Sequence, residues 1–178
     1  MCIRDRSYGC LIGTHARDKD AIVATMALCE AAAYYKTKDM TLWDAMEAIY
    51  EKYGFYKDDI QSMTMKGIEG LEKIQNILQS LRENPPVQIG DYKVLKARDY
   101  QAGTIKDMET GEVAGTGLPK SNVLYYELND DAWVCVRPSG TEPKVKFYYG
   151  IKGTSLADAD EKSAALGKAV IALVDTLL

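Results

Sequence analysis

The chain has 178 residues, 47% of them hydrophobic, so it is long enough to bury the core of one large or two small domains. Its acidic and basic residues are interspersed and give a net charge of −4, which argues against nucleic acid or an anionic membrane as the main partner. No secretory signal is visible and the longest apolar stretch, residues 21–35, is too short to span a bilayer, so we expect a cytoplasmic protein.

Two helices are predicted in the first third of the chain. Asp20 can cap a helix over residues 21–36. This helix is apolar on nearly every face, which is typical of a helix that packs on a sheet and is covered on its other side as well. Thr41 begins a second helix, and Asp44 completes an approximate capping box with it. The charged stretch Lys57-Asp58-Asp59 that follows is interpreted as a boundary.

The rest of the chain is predicted to form a small antiparallel sheet with helices on one side. A third helix is stopped by Pro85-Pro86, and after it the hydrophobic period changes to two, the period of a strand. Hairpins are predicted across Gly90-Asp91 and Asn129-Asp130-Asp131, and the last strand is predicted from Lys144 to Ile151. Ser155 then caps a terminal helix that can cover one face of the sheet, which makes this half an α+β layer.

The stretch from Gly111 to Gly117 is rich in glycine and invites comparison with a nucleotide-binding loop. It lacks the Lys-Ser/Thr ending of a P-loop and does not connect a buried strand to a helix. It is therefore predicted to be a mobile surface connection.

The octapeptide Arg-Pro-Ser-Gly-Thr-Glu-Pro-Lys at residues 137–144 has the chemistry of a phosphate-binding loop. Arg137 offers a planar fork of donors that matches two phosphate oxygens at once. Ser139 and Thr141 add hydroxyl groups, and Gly140 lets backbone N–H groups approach an anion with no Cβ in the way. The alternative is an ordinary connector between two strands, but the convergence of these residue types favours anion binding.

A charged cluster runs from His15 to Asp20, and its residues alone predict only the N-terminus of a helix. His15 is the only histidine, so a His-based metal site or a Ser-His-Asp triad within this chain would need that residue. Asn129-Asp130-Asp131 lacks the acidic spacing of a metal loop and is predicted to be a turn. No metal site is predicted in the chain.

Two segments resemble the α-D-phosphohexomutases, the phosphoglucomutase and phosphomannomutase superfamily. Residues 137–144 resemble the phosphate-binding loop of the family's fourth and last domain, and residues 7–20 resemble the sugar-binding loop of its third domain. The two matches follow the family's order and cover the chain from about Ser7 to its end. Residues 1–6 do not continue the pattern and are interpreted as a non-native start.

The resemblance implies two domains. Residues 7–63 would be the C-terminal part of the third α/β domain, and residues 64–178 would be the α+β phosphate-binding domain. The phosphorylated serine and the Asp-Gly-Asp-x-Asp-Arg metal loop of the first two family domains have no match here. The chain is therefore interpreted as a C-terminal fragment that is inactive alone.

For the intact parent, the resemblance implies exchange of hexose 1-phosphate and hexose 6-phosphate through a phosphoserine and a bisphosphorylated sugar. Mg²⁺, with ligands outside this chain, and glucose 1,6-bisphosphate as activator are implied cofactors. The residues that match the substrate-phosphate clamp are Arg137, Ser139, Gly140 and Thr141. Those that match sugar-binding or cleft-facing positions are Ser7, Arg17 and Lys19, with Lys19 and His15 as candidate auxiliaries to catalysis.

Three interpretations remain open at this point. The chain is a mutase fragment, a stand-alone module that binds phosphorylated ligands through the same loop, or a structural domain without a ligand. The parent's sugar is also open, because the N-terminal loop is most similar to bacterial phosphoglucomutases while phosphomannomutase and phosphopentomutase activity are close alternatives.

Overall fold

The computed structural model of the chain describes residues 4–5, 9–10, 12–14, 20–65, 67–140 and 142–178. Contacts divide the chain into two compact units, Met1–Tyr53 and Gly54–Leu178. In these segments none of the helices is both long and apolar enough to cross a bilayer.

The described part of the first unit holds a short antiparallel ladder and two helices. The ladder pairs β1 (Arg4–Asp5) with β2 (Gly9–Cys10), and the helices are α1 (Ala21–Lys36) and α2 (Leu42–Tyr53). The Asp20 carboxylate accepts two backbone N–H groups in the first turn of α1, at 3.0 and 3.1 Å. Asp44 donates its N–H to Thr41 Oγ1 at 3.1 Å and accepts the N–H of Thr41 at 2.7 Å. Both predicted helix starts, including the capping box, are confirmed.

Helix α1 has no fully buried residue. Its Ile22, Met26 and Leu28 are 75%, 66% and 61% exposed. The sequence predicts burial of this helix on nearly every face. In the described part of the chain, no element packs on α1 closely enough to bury its apolar side chains in this way.

The second unit is built on an antiparallel sheet. Its described part contains eight strands: β3 (Phe55–Thr64), β4 (Gln88–Ile89), β5 (Tyr92–Asp99), β6 (Thr104–Asp107), β7 (Val113–Gly115), β8 (Leu124–Leu128), β9 (Trp133–Pro138) and β10 (Lys144–Gly153). Their order is β3-β10-β9-β8-β5-β6-β7, and β4 pairs with β5. All paired neighbours are antiparallel, so the predicted small antiparallel sheet is confirmed.

Helices α3 (Ile68–Glu83) and α4 (Leu156–Asp175) cover one face of this sheet. The core lies between them and the alternate residues of the strands, with Leu78, Phe147 and Leu166 each 1% exposed. The hydroxyl of Ser155 accepts the Asp158 N–H at 3.1 Å, which confirms the predicted cap of α4. Because both helices pack on the same face, the other face stays open within the described part of this unit.

Strand β3 lies where the sequence predicts a boundary. All ten of its residues pair with β10, from Phe55 opposite Gly153 to Thr64 opposite Lys144. The stretch Lys57-Asp58-Asp59 lies inside this strand, and the division between the two compact units falls just before the strand, between Tyr53 and Gly54. An edge strand has one unpaired side and tolerates charged side chains. Because these charged residues interrupt the alternation of apolar and polar residues, the sequence pattern did not predict this strand. The compact second unit accordingly begins at Gly54, upstream of the residue 64 expected from the resemblance.

Part of the glycine-rich stretch is also a strand. Residues Val113–Gly115 form β7 and pair with β6, so the prediction of a mobile surface connection is wrong for them. The turn before β7 uses Gly111 at φ 76°, and the Asp107 carboxylate accepts two N–H groups there. This edge strand is short and has glycine at or near its ends, which is why the sequence pattern did not predict it.

Asp158→Asn is expected to remove a pH-dependent part of the stability. A hydrogen bond from Lys162, at 2.9 Å, is the main reason that the pKa of Asp158 falls to about 2, and donors on Thr154 add to the effect. Because the pKa of Asp158 is lower in the folded than in the unfolded state, its ionised carboxylate stabilises the fold fully above about pH 4. This stabilisation is lost as the pH falls towards about 2. In thermal melts between about pH 6 and pH 2, the melting temperature of the wild type should exceed that of the variant at pH 6, and this difference should shrink as the pH falls. A constant difference in melting temperature across that range would contradict this role.

Candidate functional site

The predicted anion-binding loop connects β9 to β10. Arg137 lies near the end of β9, and Lys144 begins β10. Ser139 donates its N–H to the carbonyl of Lys144 at 2.7 Å, which closes the base of the loop. The N–H of Glu142 donates to Ser139 Oγ at 3.3 Å. The loop is therefore held by its own backbone and by the Ser139 hydroxyl.

Gly140 lies at the exposed tip of this loop. A Cβ placed on it would meet nothing within 4 Å, and its φ is outside the left-handed region. The backbone conformation therefore does not require glycine here. A glycine at this position leaves the backbone N–H groups of the loop open to close approach by an anion.

A second cation lies directly opposite Arg137. In the register of β9 and β10 its partner is Lys146. Opposed residues of an antiparallel pair point to the same face, with Cβ atoms about 4.5–5.5 Å apart. Lys144 is two residues from Lys146 and shares that face, which is the open face of the sheet. We call Arg137, Lys144 and Lys146 the cation cluster.

The cation cluster has no carboxylate partner among the described residues. Elsewhere on the same sheet, Arg98 pairs with Glu127, and Lys152 pairs with Asp131 at 2.9 Å. Like charges placed directly opposite each other destabilise a sheet. A bound dianion would relieve this repulsion and accept charge-assisted hydrogen bonds from each cation. The arrangement is therefore suited to holding a phosphate group.

Strand β3 adds hydroxyl groups beside the cations. Ser62 lies opposite Lys146 and Thr64 lies opposite Lys144, and both are exposed. The N–H of Met65, just after β3, donates to the carbonyl of Pro143 at 2.9 Å, which ties the loop to this strand. The candidate site thus extends over three adjacent strands.

Sequence reasoning missed Lys146, Ser62 and Thr64. None of them lies in the octapeptide, and only the pairing register brings them to it. One local signal was available: Val145 and Phe147 point into the core, so Lys144 and Lys146 must share the opposite face.

Of the predicted clamp residues, the structure brings together Arg137, Ser139 and Gly140. The remaining predicted site residues lie outside the described residues and stay predictions: Thr141, Ser7, His15, Arg17 and Lys19.

Within the described residues, no three His, Cys, Asp or Glu side chains come together to hold a metal ion. Asp130 and Asp131 both have φ 58°, and the strands on either side pair antiparallel, so the predicted hairpin turn is confirmed. The described residues therefore do not fit a Mg²⁺ site.

Comparisons with known proteins point to one family. A model of the phosphoglucomutase/phosphomannomutase C-terminal domain matches residues 94–164, which include the loop and the cation cluster. The phosphoglucomutases of Staphylococcus aureus strains bovine RF122 / ET3-1 and MRSA252 are 36% and 35% identical over 162 residues, 91% of this chain. The chain spans 29% of the length of these curated relatives. A solution structure of Chr148 from Cytophaga hutchinsonii aligns with 70% of this chain and 88% of its own, at 12% identity and a TM-score of 0.26.

Proposed function

Because the chain belongs to the phosphoglucomutase/phosphomannomutase superfamily, we propose that it supplies the substrate-phosphate site of a phosphohexomutase. The parent would interconvert hexose 1-phosphate and hexose 6-phosphate through a phosphoserine and a bisphosphate intermediate. The observation that carries the proposal is the cation cluster, which has no carboxylate partner in the described residues and adjoins an open loop. A phosphomannomutase or phosphopentomutase parent would use the same site in the same way.

The cation cluster and its loop would act as a clamp on the phosphate that is not being transferred. Arg137 would bind two phosphate oxygens, and Lys144 and Lys146 would add positive charge on the sheet side. Charge-assisted hydrogen bonds there fix the sugar, so that binding energy is used at the distant reacting oxygen. Since the intermediate carries a phosphate at each end, such a clamp must accept either end and perform no chemistry on it.

The other parts of the proposal rest on residues outside those described. Arg17, Lys19 and Ser7 would face the sugar or the cleft, with Lys19 and His15 as auxiliaries near the transferred phosphoryl group. Mg²⁺ would supply charge stabilisation in the parent, with ligands outside this chain. Glucose 1,6-bisphosphate as activator and a cytoplasmic location belong to the same proposal.

Inorganic phosphate is expected to raise the melting temperature of the 178-residue chain. A ligand that binds only the folded state adds about 2.7 kcal/mol at about 100 times its Kd, which corresponds to several degrees. Thermal melts in phosphate and in chloride at equal ionic strength measure the shift. Lys146→Ala should lose it, and Lys120→Ala, which removes an exposed lysine outside the cluster, should retain it. An equal shift in both variants, or none in the wild type, would contradict the phosphate site.

The chain by itself is expected to show no mutase turnover with glucose 1-phosphate, even with Mg²⁺ and glucose 1,6-bisphosphate. The reason is that the phosphoserine and metal-loop motifs of the family have no match in its sequence. A coupled assay for glucose 6-phosphate tests this expectation, with Arg137→Lys as a control for contaminating mutase. Conversion by the wild type that depends on Mg²⁺ and falls in the variant would show that the chain is a complete enzyme.

A further inference from the structure

An apolar strip lies beside the cation cluster on the open face of the sheet. In the neighbouring row of opposed residues, Tyr148 of β10 lies between Cys135 of β9 and Ile60 of β3. Tyr148 and Cys135 are half-buried, and Ile60 is 43% exposed. We call these three residues the apolar strip.

The register fixes the distance between the strip and the cations. Tyr148 and Lys146 are two residues apart on one strand, so they point to the same face and are separated by about 7 Å along it. Arg137 and Cys135 have the same relation on β9. A ligand whose phosphate sits on the cation cluster can therefore lay an attached ring over Tyr148.

Tyr148 differs from the other tyrosines of the sheet in having no evident role in the fold. Tyr126 donates its hydroxyl to the carbonyl of Leu81 at 3.2 Å, and Tyr125 stacks on Trp133 with ring centroids 5.6 Å apart. Among the described residues, the side chain of Tyr148 makes neither a hydrogen bond nor a ring contact. Its hydroxyl and the exposed part of its ring are therefore available to a ligand.

We propose that Tyr148 binds the sugar ring of a hexose monophosphate whose phosphate occupies the cation cluster. This inference rests on the proposed function. A pyranose ring presents C–H groups on its faces and hydroxyls around its edge. An aromatic ring flanked by Ile60 and Cys135 matches the C–H face, and the tyrosine hydroxyl can reach the polar edge. The apolar strip then gives the site a preference for a sugar phosphate over free phosphate.

The test compares two ligands, inorganic phosphate and glucose 6-phosphate, by titration calorimetry on the full chain. Tyr148→Ala is expected to weaken glucose 6-phosphate binding about tenfold and to leave phosphate binding unchanged. Tyr148→Phe should keep most of the affinity for the sugar phosphate, because it keeps the aromatic face. Tyr56→Ala, which removes an exposed aromatic residue at the far end of the same face, should change neither affinity.

Several outcomes would overturn the inference. If Tyr148→Ala weakens both ligands equally, or neither, the ring does not lie on Tyr148 although the phosphate site stands. If the wild type binds neither ligand, the proposed function fails and this inference fails with it. Should the alanine variant not fold, Tyr148→Leu keeps the bulk without the aromatic face and is expected to show the same selective loss.

Discussion

Arg137→Lys is expected to lower the affinity of the chain for a phosphate ester about 10- to 100-fold. Lysine keeps the charge but replaces a planar fork of donors with a point charge, so the two-pronged contact is lost. A single hydrogen bond to a charged group contributes roughly 1.5–3 kcal/mol, which corresponds to this range. In a restored full-length parent, kcat/KM should fall by a similar factor, and kcat should fall as well if the clamp orients the sugar.

Two further variants serve as comparisons for the loss of affinity in Arg137→Lys. Ser139→Ala removes a neutral hydroxyl and the acceptor of the Glu142 N–H, and it should cost about tenfold or less. Lys120→Ala removes an exposed charge and should leave binding and kinetics nearly unchanged. Calorimetry on the three variants, with thermal melts to exclude unfolding, gives the comparison. An Arg137→Lys variant that behaves like Lys120→Ala would mean that this loop does not bind the substrate phosphate.

Phe147→Ala is expected to lower the free energy of unfolding by about 3–5 kcal/mol. Phe147 is 1% exposed and belongs to the core between the sheet and its two helices. Its removal leaves a cavity in a layer that cannot collapse freely, because strands on both sides hold the backbone of β10 in place. The melting temperature should fall by about 10–20 °C.

The neighbouring Tyr148 is a matched control for this prediction. It is also aromatic and lies on the same strand, but it points to the open face and is only half-buried. Tyr148→Ala should cost about 1 kcal/mol or less. Denaturant unfolding of both variants makes the comparison, and equal losses would contradict the assignment of the two faces.

The elements predicted correctly from sequence are those with local signals. Asp20, Thr41 and Ser155 each mark a helix start through a side chain that bonds backbone N–H groups within the first turn. The hairpin across residues 129–131 was predictable because its turn residues and both strands are contiguous in the chain.

Strand β3 has no such local signal. Its Lys57-Asp58-Asp59 segment lacks apolar alternation, and its pairing partner β10 lies at the other end of the unit in sequence. Because edge position permits charged side chains, only the long-range pairing identifies this segment as a strand. The start of the compact unit at Gly54 could not be predicted for the same reason.

In the candidate site, too, the residues with a local sequence signal could be predicted and those that depend on long-range pairing could not. The loop that follows Arg137 is a continuous segment, so its donors could be recognised from residue types alone. Lys146 and Ser62 come from strands whose register is set by turns and core packing, which the sequence pattern did not resolve. Only the fold shows that residues of the sheet lie beside the loop in the candidate site.

Binding of a sugar phosphate to the cation cluster and its loop is tested most directly by titrating the isotopically labelled, 178-residue chain with glucose 6-phosphate and following each backbone amide by NMR. We expect saturable shifts centred on Arg137, Ser139, Gly140 and Lys146, and we expect the Arg137→Lys variant to lose them. Shifts that do not saturate, or that centre on a distant segment such as residues 111–117, would contradict binding at this site.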